Sequence, residues 1–184
     1  MQDVTISAQI TPNPNTLKFV LNKILLESGS LDFATPQQAQ GSPVVEALYG
    51  IDGVEGVLVG TNFISISKSF SIDWATLAEP ITDTLQRLLS GDGPYVNPDL
   101  LQTMGNHSGS DIEKRIKEIL DTEIRPAVAM DGGDIVFYGY EDGVVSLHLQ
   151  GACSTCPSST LTLKLGIENR LREELPEIRE VVQI

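Results

Sequence analysis

The chain has 184 residues, 41% of them hydrophobic and 20% charged, which is enough apolar material for one or two packed domains and too much for a disordered tail. Twelve Lys and Arg stand against 25 Asp and Glu, a net charge of -13 at pH 7, and a field of that sign repels phosphate backbones and anionic lipid. Nucleic acid is excluded as a general partner, and with no run near about 18 consecutive apolar residues a membrane span is excluded too.

Both parts of the chain are acidic: up to Ser110 there are 4 basic and 11 acidic residues, and from Asp111 onward 8 and 14. No basic arm hides in the average. The opening Met1-Gln2-Asp3-Val4-Thr5-Ile6-Ser7 has neither a basic region with an apolar stretch behind it nor an Arg-rich amphipathic leader, so the expected setting is cytoplasmic.

In chain order, residues 4–10 alternate with period two and residues 17–21 follow a Pro/Asn turn, which predicts two strands. A short helix is expected over 43–49. Residues 53–60 and 63–67 flank Thr61-Asn62 as a hairpin. Asp73 caps a helical stretch with Trp74, Leu77, Ile81, Leu85, Leu88 and Leu89 on one side, and Pro80 predicts a kink or restart. The order ββαββα implies an antiparallel sheet with helices on one face. Residues 91–109, rich in Gly, Pro, Asn and Ser, read as a flexible linker, and His107 within it as a solvated residue.

Beyond the linker, Ser110-Asp111-Ile112-Glu113 is a capping box. Ile112, Ile116, Ile119, Leu120, Ile124 and Val128 then recur at helical spacing, with Pro126 expected to bend or end the helix. Residues 134–140 and 144–150 form a β-hairpin around Glu141-Asp142-Gly143. Val145, Leu147 and Leu149 face the core, which puts His148 on the wet face with Ser146 and Gln150. A helix after Pro157, packed through Leu161, Leu165 and Leu171, and a strand near 178–184 complete αββαβ. The fold class is α+β in two small domains, 1–90 and 110–184, with the linker 91–109 between them. Asp131-Gly132-Gly133-Asp134 reads as a tight helix-to-strand turn, not a phosphate or Ca²⁺ loop, and its glycines let it lie near the cysteines.

The only cysteines, Cys153 and Cys156, sit in Gly151-Ala152-Cys153-Ser154-Thr155-Cys156-Pro157, where a strand ends and a helix begins. Pro157 suits the first helical position, which places Cys156 near the N-cap, where free amides and the helix dipole favour the thiolate. Ser158, Ser159 and Thr160 add hydroxyl donors. The residues leave four readings open. An iron–sulfur cluster takes about four thiolates, so two cysteines must be completed by a second protomer or external thiols. Half of a Cys₄ zinc site makes the same demand. A dithiol oxidoreductase needs no second copy. The fourth reading is two buried cysteines without function. Two features disfavour the redox reading: Ser154-Thr155 stand between the cysteines, and a β-hairpin precedes them where a βαβ unit is expected.

Met130-Asp131-Gly132-Gly133-Asp134, the stretch from Leu149 through Cys153 and Cys156 to Lys164, and Gly166-Ile167-Glu168 resemble the Nfu domain of NifU-type iron–sulfur proteins. The first part resembles the Nfu N-terminal domain through Thr11-Pro12-Asn13-Pro14-Asn15-Thr16-Leu17-Lys18-Phe19, Asp32-Phe33-Ala34-Thr35-Pro36, Ser42-Pro43, Gly53-Val54-Glu55-Gly56-Val57 and Asp73-Trp74. The resemblance implies a non-catalytic carrier, with Cys153 and Cys156 as ligands of a [4Fe–4S] cluster shared between two protomers. It also implies a homodimer when loaded, an upstream cluster scaffold as donor, and apo iron–sulfur proteins as recipients. The alternative is a thiol-disulfide oxidoreductase using the same pair. Thr155 departs from the glycine common at that position. With no cysteine in residues 1–152, the first domain is expected to bind or position partners, not to hold clusters.

Overall fold

The computed structural model of the protein describes residues 4–102, 109–154 and 157–184. The chain divides into two compact units, Met1–Asn106 and His107–Ile184. Among the described residues no helix is long and apolar enough to cross a membrane.

The first unit contains β1 (Ile6–Ile10), β2 (Thr16–Leu21), β3 (Leu31–Phe33), α1 (Pro43–Tyr49), β4 (Val54–Val59), β5 (Phe63–Lys68), α2 (Trp74–Leu89) and α3 (Pro98–Gln102). The strands form one antiparallel sheet in the order β1-β2-β5-β4-β3. The register lines up two apolar rows across it, Phe19–Ile64–Val59–Leu31 and Leu17–Ile66–Val57–Phe33. Leu77, Ile81, Leu85 and Leu89, one per helical turn of α2, are buried in the same core, each worth roughly 1.5–3 kcal/mol of apolar burial. The expected ββαββα order is present, with the three-residue β3, a 3-10 turn at Pro36–Ala39 and α3 added to it.

Pro80 does not restart a helix: α2 runs through it from Trp74 to Leu89, and Pro80 lies on its exposed side. The carbonyl one turn earlier, which loses its amide donor to the proline ring, is on the solvent side where water can take the donor's place. The first part of the expected linker is not free either. Val96 is only 3% exposed within the first core. The Val44 amide donates to the Tyr95 carbonyl at 3.3 Å, and the Asn97 amide donates to Ser42 Oγ at 2.9 Å. Lys23 Nζ donates to the carbonyls of Leu89 and Gly91, both at 2.8 Å, closing the end of α2. Residues 91–100 are thus held on the first unit by one apolar anchor and several hydrogen bonds. His107 lies outside the described residues.

The second unit contains α4 (Asp111–Ile119), a π-helical turn (Leu120–Ile124), α5 (Arg125–Met130), β6 (Gly133–Glu141), β7 (Val144–Gly151), α6 (Pro157–Glu174) and β8 (Glu180–Gln183). Its sheet has the order β6-β7-β8, with β6 antiparallel and β8 parallel to β7. The capping box forms as expected: the Glu113 amide donates to Ser110 Oγ, and the Ser110 amide to Glu113 Oε2. Pro126 does not end the helix. The π-turn ahead of it lets the Arg125 amide reach the Leu120 carbonyl, so the chain re-enters α-geometry with proline in the first turn of α5, where no amide is needed.

Asp142 and Gly143, at φ 48° and 84°, make the two-residue primed turn that matches strand twist. Val145, Leu147 and Leu149 are buried, while His148 is exposed with Nδ1 2.9 Å from the Ile184 carbonyl, as the alternation predicts. The helix after Pro157 differs from expectation in its face. Leu171 is buried, but Leu161 and Leu165 are 63% and 49% exposed, because α6 packs through Leu163, Ile167 and Leu171.

Candidate functional site

The cysteine loop is built by two glycine turns that meet. Gly132, at φ 78°, ends α5 in the left-handed cap that only glycine takes without strain, and the next residue starts β6. Gly151, at φ 63°, turns the chain out of β7 directly opposite Gly133. The Ala152 amide then donates to the Gly132 carbonyl at 3.2 Å, tying one turn to the other. The Ser154 amide and hydroxyl both donate to the Gly151 carbonyl, at 3.2 and 2.9 Å. Thr160 Oγ1 donates to the Cys153 carbonyl at 3.3 Å, fastening the loop to the first turn of α6.

Cys153 is 6% exposed and belongs to the second apolar core. Its sulfur occupies space that exists only because residue 133 is glycine. A Cβ there would stand 2.5 Å from Cys153 Sγ, 3.1 Å from Cys153 Cβ and 3.0 Å from the Gln150 carbonyl oxygen. The expectation that the glycine pair lets the turn lie near the cysteines is met at Gly133. Cys156 and Thr155 lie outside the described residues. Among the described residues no group of three or more His, Cys, Asp or Glu gathers around a common point.

The sequence reading missed the ion pair that holds this turn. Asp134, 4% exposed, accepts from Arg125 Nε at 2.8 Å and from a terminal guanidinium nitrogen at 2.6 Å, while Asp134 Oδ1 also accepts from the Ile135 amide at 2.8 Å. Arg125 donates its remaining terminal nitrogen to Asp121 at 2.9 Å. Hydrogen bonding to Asp134 holds the guanidinium more firmly charged than usual, against the opposing effect of desolvation. The only signal in the sequence was a basic residue just before Pro126 and an acidic one just after the glycine pair, nine residues apart on two different elements.

The donors fit soft-metal chemistry. Thiolates suit iron–sulfur clusters and zinc, and a recess that seats a sulfur at a strand-to-helix junction fixes the direction in which such a ligand points. Two thiols per chain are about half of a complete set.

A family model described as NifU-like domain matches residues 116–182, and one described as Scaffold protein Nfu/NifU N terminal matches residues 6–92. The chain belongs to the Nfu family. This Nfu chain is 42% identical over 181 residues to the human protein "NFU1 iron-sulfur cluster scaffold homolog, mitochondrial", a match covering 97% of the chain and 71% of that protein. It is 41% identical over 184 residues to "NifU-like protein 4, mitochondrial" of Arabidopsis thaliana, covering 97% and 65%. A NifU-like protein from Saccharomyces cerevisiae, solved by NMR, is similar at a TM-score of 0.47 and 24% identity, over 52% of this chain and 86% of that one. Across the curated relatives compared, the chain spans 64 to 74% of their length.

These names overturn the expectation of a cytoplasmic setting. The human, Drosophila and Arabidopsis relatives are mitochondrial by name. Compartment is written in address segments and not in the packed fold, so the lack of a leader pattern in residues 1–7, on which the expectation rested, does not decide it.

Proposed function

We propose that this Nfu chain is an iron–sulfur cluster carrier in cluster assembly, non-catalytic, with Cys153 and Cys156 as the ligands it contributes. The observation that carries the proposal is the Gly133 recess around the Cys153 sulfur, in a loop that holds the only two cysteines of the chain. The name of its human relative, an iron-sulfur cluster scaffold homolog, supports the same reading.

In this reading a [4Fe–4S] cluster is cargo, held between the cysteine pairs of two copies, received from an upstream scaffold and passed to apo-proteins. Each thiol gives up its proton on binding iron. In transfer a client thiol loses a proton and its thiolate bonds iron, while a carrier thiolate leaves and is reprotonated, so charge and protons balance at each exchange. Two ligands per chain make this stepwise release easier than four would. The first unit, with no cysteine, docks or positions partners.

The test is anaerobic reconstitution of the full chain with ferrous iron and sulfide. A brown product with broad visible absorption, together with a shift of apo monomers to dimers, is expected for the native chain. Both are expected to be lost in Cys153→Ala and in Cys156→Ala. A colourless product whose dithiol cycles with a disulfide substrate overturns the reading in favour of an oxidoreductase, and stoichiometric zinc without sulfide overturns it in favour of a zinc site.

A further inference from the structure

We infer that the exposed face of α6 formed by Leu161, Leu165 and Gly166 is the surface on which a second copy of this chain seats when two cysteine loops share a cluster. This rests on the carrier reading and extends it from the ligands to the protein surface that brings them together.

Three independent observations converge on that face. The first is apolar exposure without a fold to explain it. Leu161 and Leu165 are 63% and 49% exposed, although α6 already packs on the core through buried Ile167 and Leu171 and half-buried Leu163. They stand one turn apart, so they form a continuous ridge.

The second is Gly166. Glycine inside a helix lowers its stability relative to straight-chain residues. A Cβ built on Gly166 meets nothing within 4 Å, so no neighbour in this chain requires its absence. An exposed helical glycine next to an apolar ridge is what a close backbone approach by another molecule requires.

The third is charge. At about 100° per residue, Leu161, Thr162, Leu165, Gly166 and Asn169 fall within one arc of about 140°, and from 161 to 169 that arc holds no charge; Arg172 and Glu173 enter it only in the last turn, farthest from the cysteine loop, and are paired with Glu168 and Arg170. Leu161, Thr162, Leu165, Gly166 and Asn169 are all exposed. Two copies each carrying -13 repel, so they can touch stably only where charge is sparse and apolar area compensates. The charged residues that border this face are occupied within the chain: Lys164 reaches Glu180 at 3.4 Å, and Glu168 pairs with Arg172 at 2.7 Å.

The face is also in the right place. It begins at the turn of α6 that Thr160 fastens to the Cys153 carbonyl. A second copy seated there with its α6 parallel to the first, about a two-fold axis along the helix direction, brings its own cysteine loop to the same end and supplies the missing half of the ligand set.

The experiment compares the full native chain with Leu161→Glu/Leu165→Glu and with Gly166→Gln, before and after anaerobic loading with ferrous iron and sulfide. The readouts are dimer dissociation by analytical ultracentrifugation, iron per chain, and the apo melting temperature. The double variant is expected to weaken the loaded dimer at least tenfold and to load less iron, with its apo melting curve unchanged. Gly166→Gln is expected to raise the apo melting temperature while weakening the loaded dimer, two shifts of opposite sign that a purely structural role of Gly166 does not produce. If the double variant melts early, Gly166→Gln alone decides. Variants that load and dimerise like the native chain overturn this face and leave the carrier reading standing. A native chain that takes up no cluster overturns both.

Discussion

Gly133 leaves open the volume that the sulfur of Cys153 fills: a single added carbon on Gly133 would lie 2.5 Å from that sulfur and 3.0 Å from the Gln150 carbonyl. The sulfur is the movable neighbour and the carbonyl the rigid one, so the cysteine loop has to shift. Gly133→Ala is expected to destabilise the second unit by about 1–3 kcal/mol, the usual range for overpacking, and to reduce iron uptake sharply. The check is a double-mutant cycle in urea with Cys153→Ala. Removing the sulfur should relieve part of the alanine's effect, giving a coupling of roughly 0.5 kcal/mol or more. Strictly additive effects contradict the recess.

Arg125 and Asp134 brace the same turn from the helix side. Arg125→Ala takes both guanidinium hydrogen bonds away from the carboxylate of Asp134, which is 6% exposed in its side chain. A loss of about 3 kcal/mol is expected, at the lower end for a broken buried pair because the arginine itself is 28% exposed. Arg125→Ala/Asp134→Asn should recover part of it. Chemical denaturation of the three proteins measures this, and a single variant within about 0.5 kcal/mol of native stability contradicts a bracing role.

A second brace joins the π-turn to the end of α6. Arg170 donates to Glu123 at 2.6 and 2.9 Å and to Glu174 at 3.2 Å, and Arg115 reaches Glu174 at 3.1 Å. Hydrogen bonding from Arg170 lowers Glu123 below its ordinary 4.5, and hydrogen bonds from Arg115 and then Arg170 lower Glu174 likewise. Carboxylates with lowered values stabilise the fold above the ordinary value and lose that contribution as pH falls below it. Acidification from about pH 5 downward, through and below the ordinary value of 4.5, should therefore cost the native chain more than Arg170→Gln. The groups are exposed, so the difference should shrink in 1 M salt, at a Debye length of about 3 Å. Thermal melts across that range, with and without salt, test both parts.

The parts of this architecture that were legible in the sequence are those written in local chemistry. The alternation of Val145, Leu147 and Leu149 gave the face of β7, Asp142-Gly143 the hairpin, Ser110 and Glu113 the start of α4, and Pro157 the start of α6. What was not legible depends on partners distant in the chain. β3 is three residues long, too short for a period, and exists because Leu31 and Phe33 complete rows begun on β4. Val96 is one apolar residue among Gly, Pro and Asn, and only the core around it makes the segment structural. On α6 leucine or isoleucine occupies 161, 163, 165, 167 and 171, an arc of about 200° that is wider than one buried face, so packing alone selects which part of it is covered. The Arg125–Asp134 pair spans two elements brought together by the turn at Gly132.

The most direct measurement is native mass spectrometry of the full chain purified and held without oxygen, combined with Mössbauer spectroscopy of the same sample. The account predicts a species of two chains carrying about four iron and four sulfide, with the spectrum of a [4Fe–4S] centre. A single chain free of iron and inorganic sulfide, unchanged after exposure to both, contradicts it.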